Sequence, residues 1–594
     1  MPTEPEISAR IEALLAQMTV DQKLGQMLQP ERMSITPDEV RDHHIGSVLS
    51  GGGSCPGDNL ASDWIAMNDA YWAASMTEGE GRVPIPLIYG VDAVHGHANL
   101  LGATVFPHNI GLGAARDPEL MTRIAQATAR EVLATGVEWT FAPTIAIAQD
   151  LRWGRTYESF SEDPALVTAF SAAFVRGLQE GPDAIVACAK HFVGDGATTL
   201  GNDQGNTRMT EAELAVHLAP YQAAIDAGVL TVMASLSSWN GSKLHGHRYL
   251  LTDVLKDRMG FDGFVVSDWD GADYLADDYG DALAIGTNAG IDMFMIATAW
   301  REALAHLKRL VAEGWIPMAR IDDAVRRILR VKLRYGLFES PRPAERPWAQ
   351  QSGVLGAEAH RAVAREAVRK SLVSLKNDGV LPLRPDARIL VAGKAADSRG
   401  HLCGGFTVAW QGVTDNAKIV GGTSIWEGLQ AQAPNATLSP DGSAADPAAH
   451  DVAIVVIGER PYAEGFGDIR PDAPPRGSSP EGRIAKTSPY GQSLELATLH
   501  REDLATLRAI ADRGIPVVAV MVSGRPLAIT AELTASNAFV AAWLPGSEGG
   551  GVADVLLGRY AFQGTLPFAW PSAPDGDAAG RRVDPVFPVG FGLR

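Results

Sequence analysis

The chain has 594 residues, 46% of them hydrophobic and 20% charged, the composition of an ordinary globular protein with room for two large domains. Its 70 acidic and 51 basic residues leave a net charge of −19, which excludes nucleic acid and anionic membrane as natural partners, because both need a positive surface. Three separated cysteines (Cys55, Cys188 and Cys403) form no CxxC pair and imply neither a disulfide scaffold nor a zinc site.

The N-terminal stretch MPTEPEISARIEALLAQMTVDQKLGQM reads as an acidic amphipathic helix without the basic start and apolar run of a signal peptide. No stretch approaches the roughly 18 consecutive apolar residues of a membrane helix, so a soluble protein is expected. As the sequence stands it is cytoplasmic, or periplasmic or secreted if a leader has been removed.

From about Gly46 to Phe338, short apolar runs alternate with helical patterns. The strand candidates are GSVLSGGG, IPLIYGVDA, WTFAPTIA, IVACAKHF, LTVMASLSSW, GFVVSDWD and IDMFMIA. Continuous apolar runs suit strands buried on both faces. Seven or eight βα units favour an α/β fold of the (β/α)8, TIM-like barrel type over an open sheet. The helix RIDDAVRRILRVKLRYGLF closes this region, and the Pro-rich ESPRPAERPWAQQSG follows. The expected division is a barrel over 1–340, a linker over 341–357 and an α/β sandwich over 358–594. The sandwich strands are ARILVAG, DVAIVVIGE, IPVVAVMVSG and AFVAAWLPG, within a sheet of four to six. Residues 471–492, rich in Pro, Gly and Ser, read as a long surface loop.

Working residues of such a barrel sit at the C-terminal ends of its strands. Those ends supply Asp92, Arg155, Lys190, His191, Ser237 to Asn240, and Asp268-Trp269-Asp270. Carboxylates and cations that can hold hydroxyls, beside indoles that can stack on a sugar ring, suit a polyhydroxylated substrate. Each residue also has a plainer explanation. Asp92 and Asp268 could cap helices, Lys190 and His191 could pair with neighbouring acids, Trp269 could be core, and Asp270 competes with Asp268 on identical composition. The coincidence of five such ends carries the reading. His95 and His97 form an HxH, which is weak evidence for a metal.

The segments YGVDAVHG, GATVFPHNIGLGA, DLRWGRTYESFSEDP, ACAKHFVGDG, SSWNG and GFVVSDWDG resemble the N-terminal barrel of glycoside hydrolase family 3. AREAVRKSLVSLKNDGVLPL, GGFTVAWQG, GERPYAEGFGD, VSGRPLAI, AAWLPGSEGG and QGTLPFAWP resemble its second domain, in the branch of plant-type β-glucan exohydrolases and their bacterial relatives. That similarity implies Asp268 as catalytic nucleophile and Glu464 as acid/base. It implies Asp92, Arg155, Lys190, His191 and Met233 as substrate-binding residues, with Trp269 and Trp410 clamping the next sugar. The residues alone cannot separate Glu464 from Glu459. Phe406, Leu236, Tyr274 and Gln204 depart from the plant pattern, which puts an inherited linkage preference in doubt.

The implied activity is exo-acting, retaining removal of β-D-glucose from the non-reducing end of β-glucans, β-gluco-oligosaccharides or aryl and alkyl β-glucosides. No cofactor and no metal are implied. Asp268 is expected to be kept at low pKa by Lys190, His191 and Arg155, and Glu464 to be raised by burial and by Asp268. The alternatives are a β-xylosidase or mixed-specificity member, a carbohydrate-binding protein without activity, an N-acetylglucosaminidase with an Asp–His dyad, and a phosphate-binding barrel enzyme. The third lacks the second His in KHFVGDGATTLGNDQGN, and the fourth lacks a Gly-rich loop at IDMFMIATAW.

Overall fold

The computed structural model describes residues 3–349, 351, 353–384, 386–464, 493–573 and 585–594. The proposed loop at 471–492 lies outside the described residues. Eight of the strands described in the first half are parallel and buried throughout. They are β1 (Leu28–Pro30), β2 (Ser47–Ser50), β3 (Ile88–Val91), β4 (Trp139–Thr140), β5 (Cys188–Phe192), β6 (Thr231–Ala234), β7 (Phe264–Val266) and β8 (Phe294–Ile296).

Ladders join β8 to β1, β2 to β3 to β4, and β5 to β6 to β7. Single parallel bridges, Glu31 to Leu49, Trp139 to Val186 and Val266 to Met293, connect these groups and close the ring in sequence order. This is a barrel, with its helices outside. The helix Met318–Tyr335 shows how the sequence builds that outer layer. It buries Ile321, Val325, Ile328 and Leu329 at helical spacing and stops at Gly336, whose φ of +82° favours a residue without a Cβ.

The seven strand candidates all form. The eighth, β1, escapes pattern reading because its three residues follow almost directly on the helix Val20–Gln26.

The second half contains, among the described residues, a six-stranded sheet. Its strands are β9 (Val373–Asn377), β10 (Ile389–Ala392), β11 (Thr437–Leu438), β12 (Val452–Gly458), β13 (Val517–Val522) and β14 (Ala538–Trp543). The order is β9-β14-β13-β12-β10-β11, antiparallel only between β9 and β14. All residues of β12, β13 and β14 are buried, so their sequences read as unbroken apolar runs.

The two halves are fastened beside the barrel mouth. The helix Glu358–Ser371 packs on the barrel helices Asn109–Ala115 and Pro118–Leu133. Arg123 grips Glu366 through two 2.8 Å bonds, and Lys370 meets Asp117 at 2.8 Å. Buried Glu131 accepts from the Thr104 amide and hydroxyl, the Gly356 amide and His360 Nδ1.

Candidate active site

Asp92 is the first residue beyond β3, and Lys190 Nζ donates to its Oδ1 at 3.2 Å. Lys190 and His191 are consecutive in β5, where a regular pleat would send their side chains to opposite faces. The ladder to β6 shifts register between Ala189 and Phe192. With that irregularity Lys190 reaches Asp92 while His191 Nε2 lies 3.7 Å from Asp268 Oδ2. Met233 is buried in β6 in register with Val266 of β7, just before Asp268.

Arg155 comes from the turn after β4. Its guanidinium is held by Glu158 through bonds of 2.7 and 3.0 Å, and the pair is buried. That fixes the direction of the fork before any ligand arrives.

Asp268 and Asp270 have different surroundings. The Asp268 amide donates to His245 Nε2 at 2.9 Å, and its Oδ1 accepts from the Trp269 amide at 2.7 Å, which leaves Oδ2 toward His191. Asp270 sits at φ +48° and turns back onto the barrel wall, its Oδ1 accepting from the Ala297 amide at 2.8 Å.

Two indoles close on one glycine turn. A Cβ at Gly51 would lie 2.8 Å from the Trp269 ring, and one at Gly52 would lie 3.3 Å from Phe406 and 3.4 Å from Trp410. Gly51–Gly53 therefore lets aromatic rings from both halves approach the end of β2. The loop carrying Phe406 and Trp410 is pinned across the interface. Val408 donates its amide to the Ala98 carbonyl at 2.8 Å. His95 Nδ1 donates to the Phe106 carbonyl at 3.1 Å and its Nε2 accepts from the Thr407 hydroxyl at 3.1 Å. His97 bonds Thr135 Oγ1 at 3.1 Å. The HxH pair thus serves packing and loop placement.

Glu464 and Glu459 follow β12. Glu459 accepts from Tyr462 Oη at 2.9 Å, the Gly524 amide at 3.1 Å and Arg525 Nε at 3.1 Å. Glu464 has a buried Oε2 without a hydrogen-bond partner among the described residues. The Ala463 amide beside it is fixed by Gln411 Oε1 at 2.8 Å.

Burial raises the Asp268 pKa to about 6, against the pull of Arg155, the Trp269 amide and Lys190. The expectation of a low value is corrected: desolvation outweighs the cations. His191 adds no charge, because burial and then Arg155, Lys190 and His245 hold it well below its usual value. Burial likewise pushes Glu464 up to about 7, with Arg155 opposing and Glu158 and Asp203 reinforcing. The leading negative neighbours of Glu464 are therefore Glu158 and Asp203 rather than the expected Asp268.

Several participants escape sequence reading. Asp195 Oδ2 lies 2.9 Å from His191 Nδ1, and Trp153 Nε1 donates to Asp203 at 2.8 Å. Nothing distinguishes either acid from others in loops. Three of the four positions that depart from the plant pattern, Leu236, Gln204 and Tyr274, come together around Lys243. Lys243 Nζ donates to the Leu236 carbonyl at 2.7 Å and the Gln204 carbonyl at 3.1 Å, and lies 5.2 Å from the Tyr274 ring centroid.

Buried carboxyls, cations and indoles gather at the mouth of a parallel barrel, beside a second α/β domain. Residues 19–331 match the glycosyl hydrolase family 3 N-terminal domain and residues 372–594 its C-terminal domain, and the chain belongs to that family. It is a glycoside hydrolase. An exo-1,3/1,4-β-glucanase from a Pseudoalteromonas species is 45% identical, with a TM-score of 0.92 over 100% of this chain and 75% of that one. A lysosomal β-glucosidase of Dictyostelium discoideum is 32% identical over 94% of this chain and 72% of its own length. A Listeria innocua β-glucosidase in complex with laminaribiose is 26% identical, with a TM-score of 0.82 over 100% of this chain and 83% of that one. Among the described residues no helix is long and apolar enough to cross a membrane.

Proposed function

We propose that the enzyme is an exo-acting, retaining β-glucosidase that removes single glucose units from β-linked gluco-oligosaccharides. Asp268 attacks the anomeric carbon while Glu464 gives its proton to the departing glycosidic oxygen. Water then opens the glycosyl ester, and Glu464 takes the water's proton, so both groups return to their starting states. Asp92, Arg155, Lys190, His191 and Met233 hold the glycone, and Trp269 and Trp410 grip the sugar beyond it.

One observation carries the reading. The Asp268 carboxylate is oriented by the Trp269 amide with Oδ2 3.7 Å from His191 Nε2, whereas Glu464, from the other domain, has its pKa raised by burial and an Oε2 without a partner among the described residues. Double displacement needs one oriented carboxylate and a second carboxyl able to hold a proton. The names of the relatives support glucose as the glycone. The cluster of changes around Lys243 supports a linkage preference of its own.

A 2-deoxy-2-fluoro-β-glucoside should trap the intermediate on the peptide containing Asp268. Label on any other peptide removes the nucleophile assignment. Rates on β-1,2-, 1,3-, 1,4- and 1,6-linked glucobioses, with a β-xyloside in parallel, assign the linkage, and a faster xyloside overturns glucose as the preferred glycone.

A further inference from the structure

At the C-terminal end of β13, Arg525 is fully buried, with a side-chain exposure of 0% against 1% for its partner Glu459. Burying an ion pair is costly unless the surrounding groups complete its hydrogen bonds. Here they join three segments of chain. Arg525 Nε donates to Glu459 Oε1 at 3.1 Å, and Nη1 crosses to the barrel to donate to the Leu151 carbonyl at 3.2 Å. Leu151 opens the turn that presents Arg155. Within it the Trp153 amide donates to the Asp150 carbonyl and the Thr156 amide to the Trp153 carbonyl.

On its other oxygen Glu459 takes Tyr462 Oη at 2.9 Å and the Gly524 amide at 3.1 Å. The Arg525 guanidinium also lies 5.9 Å from the centroid of the Tyr462 ring. Tyr462 in turn meets Tyr157 of the barrel turn edge to face at 5.7 Å. Gly524 makes this possible, since a Cβ there would lie 2.7 Å from Tyr462 Oη and 3.1 Å from Tyr157 Cβ. The chain from Tyr462 to Glu464 has little freedom left. A Cβ on Gly405 would strike the Tyr462 carbonyl at 2.1 Å, and Gln411 holds the next amide.

We infer that Arg525 is a positioning residue for acid catalysis: through Glu459 and Tyr462 it sets where Glu464 stands relative to the barrel turn that carries Arg155. The inference rests on Glu464 being the acid. It names the ion pair as the joint between the two domains at the point of reaction. A guanidinium is suited to this because its rigid fork holds acceptors in two directions, Glu459 and Leu151, which a lysine cannot reproduce.

Small errors in placement fall on the proton transfer, and displacement of about 1 Å can cost on the order of 10²-fold. The test is a leaving-group comparison on Arg525→Lys, Tyr462→Phe and Glu464→Ala, using kcat/KM for a glucobiose and for 2,4-dinitrophenyl β-glucoside. The first leaving group needs a proton; the second barely does. Arg525→Lys should lose roughly 10- to 100-fold on the glucobiose, within the 10²–10⁴ range of general acid catalysis, and at least about tenfold less on the dinitrophenyl glucoside. Tyr462→Phe removes one hydroxyl from the interior and tests the same joint should Arg525→Lys fail to fold. It should show the same selectivity at smaller size.

Equal losses on both substrates, or none, in the folded variants overturn the positioning role when Glu464→Ala is itself selective. A Glu464→Ala variant without selectivity and without azide rescue overturns the acid assignment, and the inference with it.

Discussion

Glu459 and Glu464 leave the same strand a few residues apart, yet Glu459 is saturated by Arg525, Tyr462 and Gly524 while Glu464 keeps a buried oxygen with no partner among the described residues. A saturated carboxylate has its charge compensated and its lone pairs committed, so it cannot exchange a proton with a substrate oxygen. Glu464 retains that capacity, and burial raises it to about 7. Asp270 differs from Asp268 in position: its Oδ1 accepts from the Ala297 amide beside β8, whereas the Asp268 Oδ2 lies 3.7 Å from His191 Nε2.

The pH dependence follows from the two values. Activity on a glucobiose, read as kcat/KM, should rise as Asp268 ionises at about 6 and fall as Glu464 loses its proton at about 7. Glu464→Ala, assayed on an activated aryl glucoside, should lose the alkaline limb and keep the acidic one. A wild-type plateau on the glucobiose extending beyond about pH 8 counts against Glu464.

Asp203 raises both Asp268 and Glu464 by its negative charge. Asp203→Asn removes that charge, so both groups should titrate at lower pH and the whole bell should move to the acid side. At pH 7 the variant should be slower on a glucobiose, because less Glu464 is protonated. Unmoved limbs in a full pH profile contradict the electrostatic role.

Asp268→Ala should abolish turnover and leave the fold intact. Its carboxylate accepts from the Trp269 amide and otherwise faces the pocket, so the stability change measured in urea should stay within about 1 kcal/mol. A large fall in the urea midpoint assigns the residue a structural function instead.

Two of the fastenings between the halves differ in worth. Arg123 and Glu366 are partly exposed, and Arg123→Ala should cost no more than about 1 kcal/mol. Glu131→Ala strands four donors, three of them buried and one half-buried, and should cost about 3–5 kcal/mol. Equilibrium unfolding of the two variants side by side checks the ranking.

Trp410 and Trp269 approach the same glycine turn from different halves. Trp410→Ala should raise KM for a glucobiose about tenfold, corresponding to roughly 1.4 kcal/mol of lost stacking, with kcat little changed. An equal effect on methyl β-glucoside contradicts a role beyond the glycone.

Much of this is legible in the sequence because the physics is local. Strands buried on both faces must be apolar along their length, and seven of the eight barrel strands announce themselves that way. Strand ends gather function in this architecture, so Asp92, Lys190, His191 and Asp268 stand out in the sequence itself. The same rule applied to the second sheet would have marked Arg525, which closely follows β13. Strands β1, β9 and β11 do not stand out. β1 and β11 are too short for a pattern, and β9 follows directly on the helix Glu358–Ser371.

The sequence by itself determined the barrel, the sandwich and the set of polar residues near the mouth, because periodicity and strand ends are written in neighbouring positions. Its similarity to a known family proposed which carboxyls act. Only the tertiary structure decided what surrounds each one: that Glu459 is consumed by an ion pair while Glu464 is not, that His191 is neutral, and that burial lifts Asp268 instead of cations lowering it. Those outcomes depend on desolvation and on partners far away in the chain, and no stretch of sequence carries either.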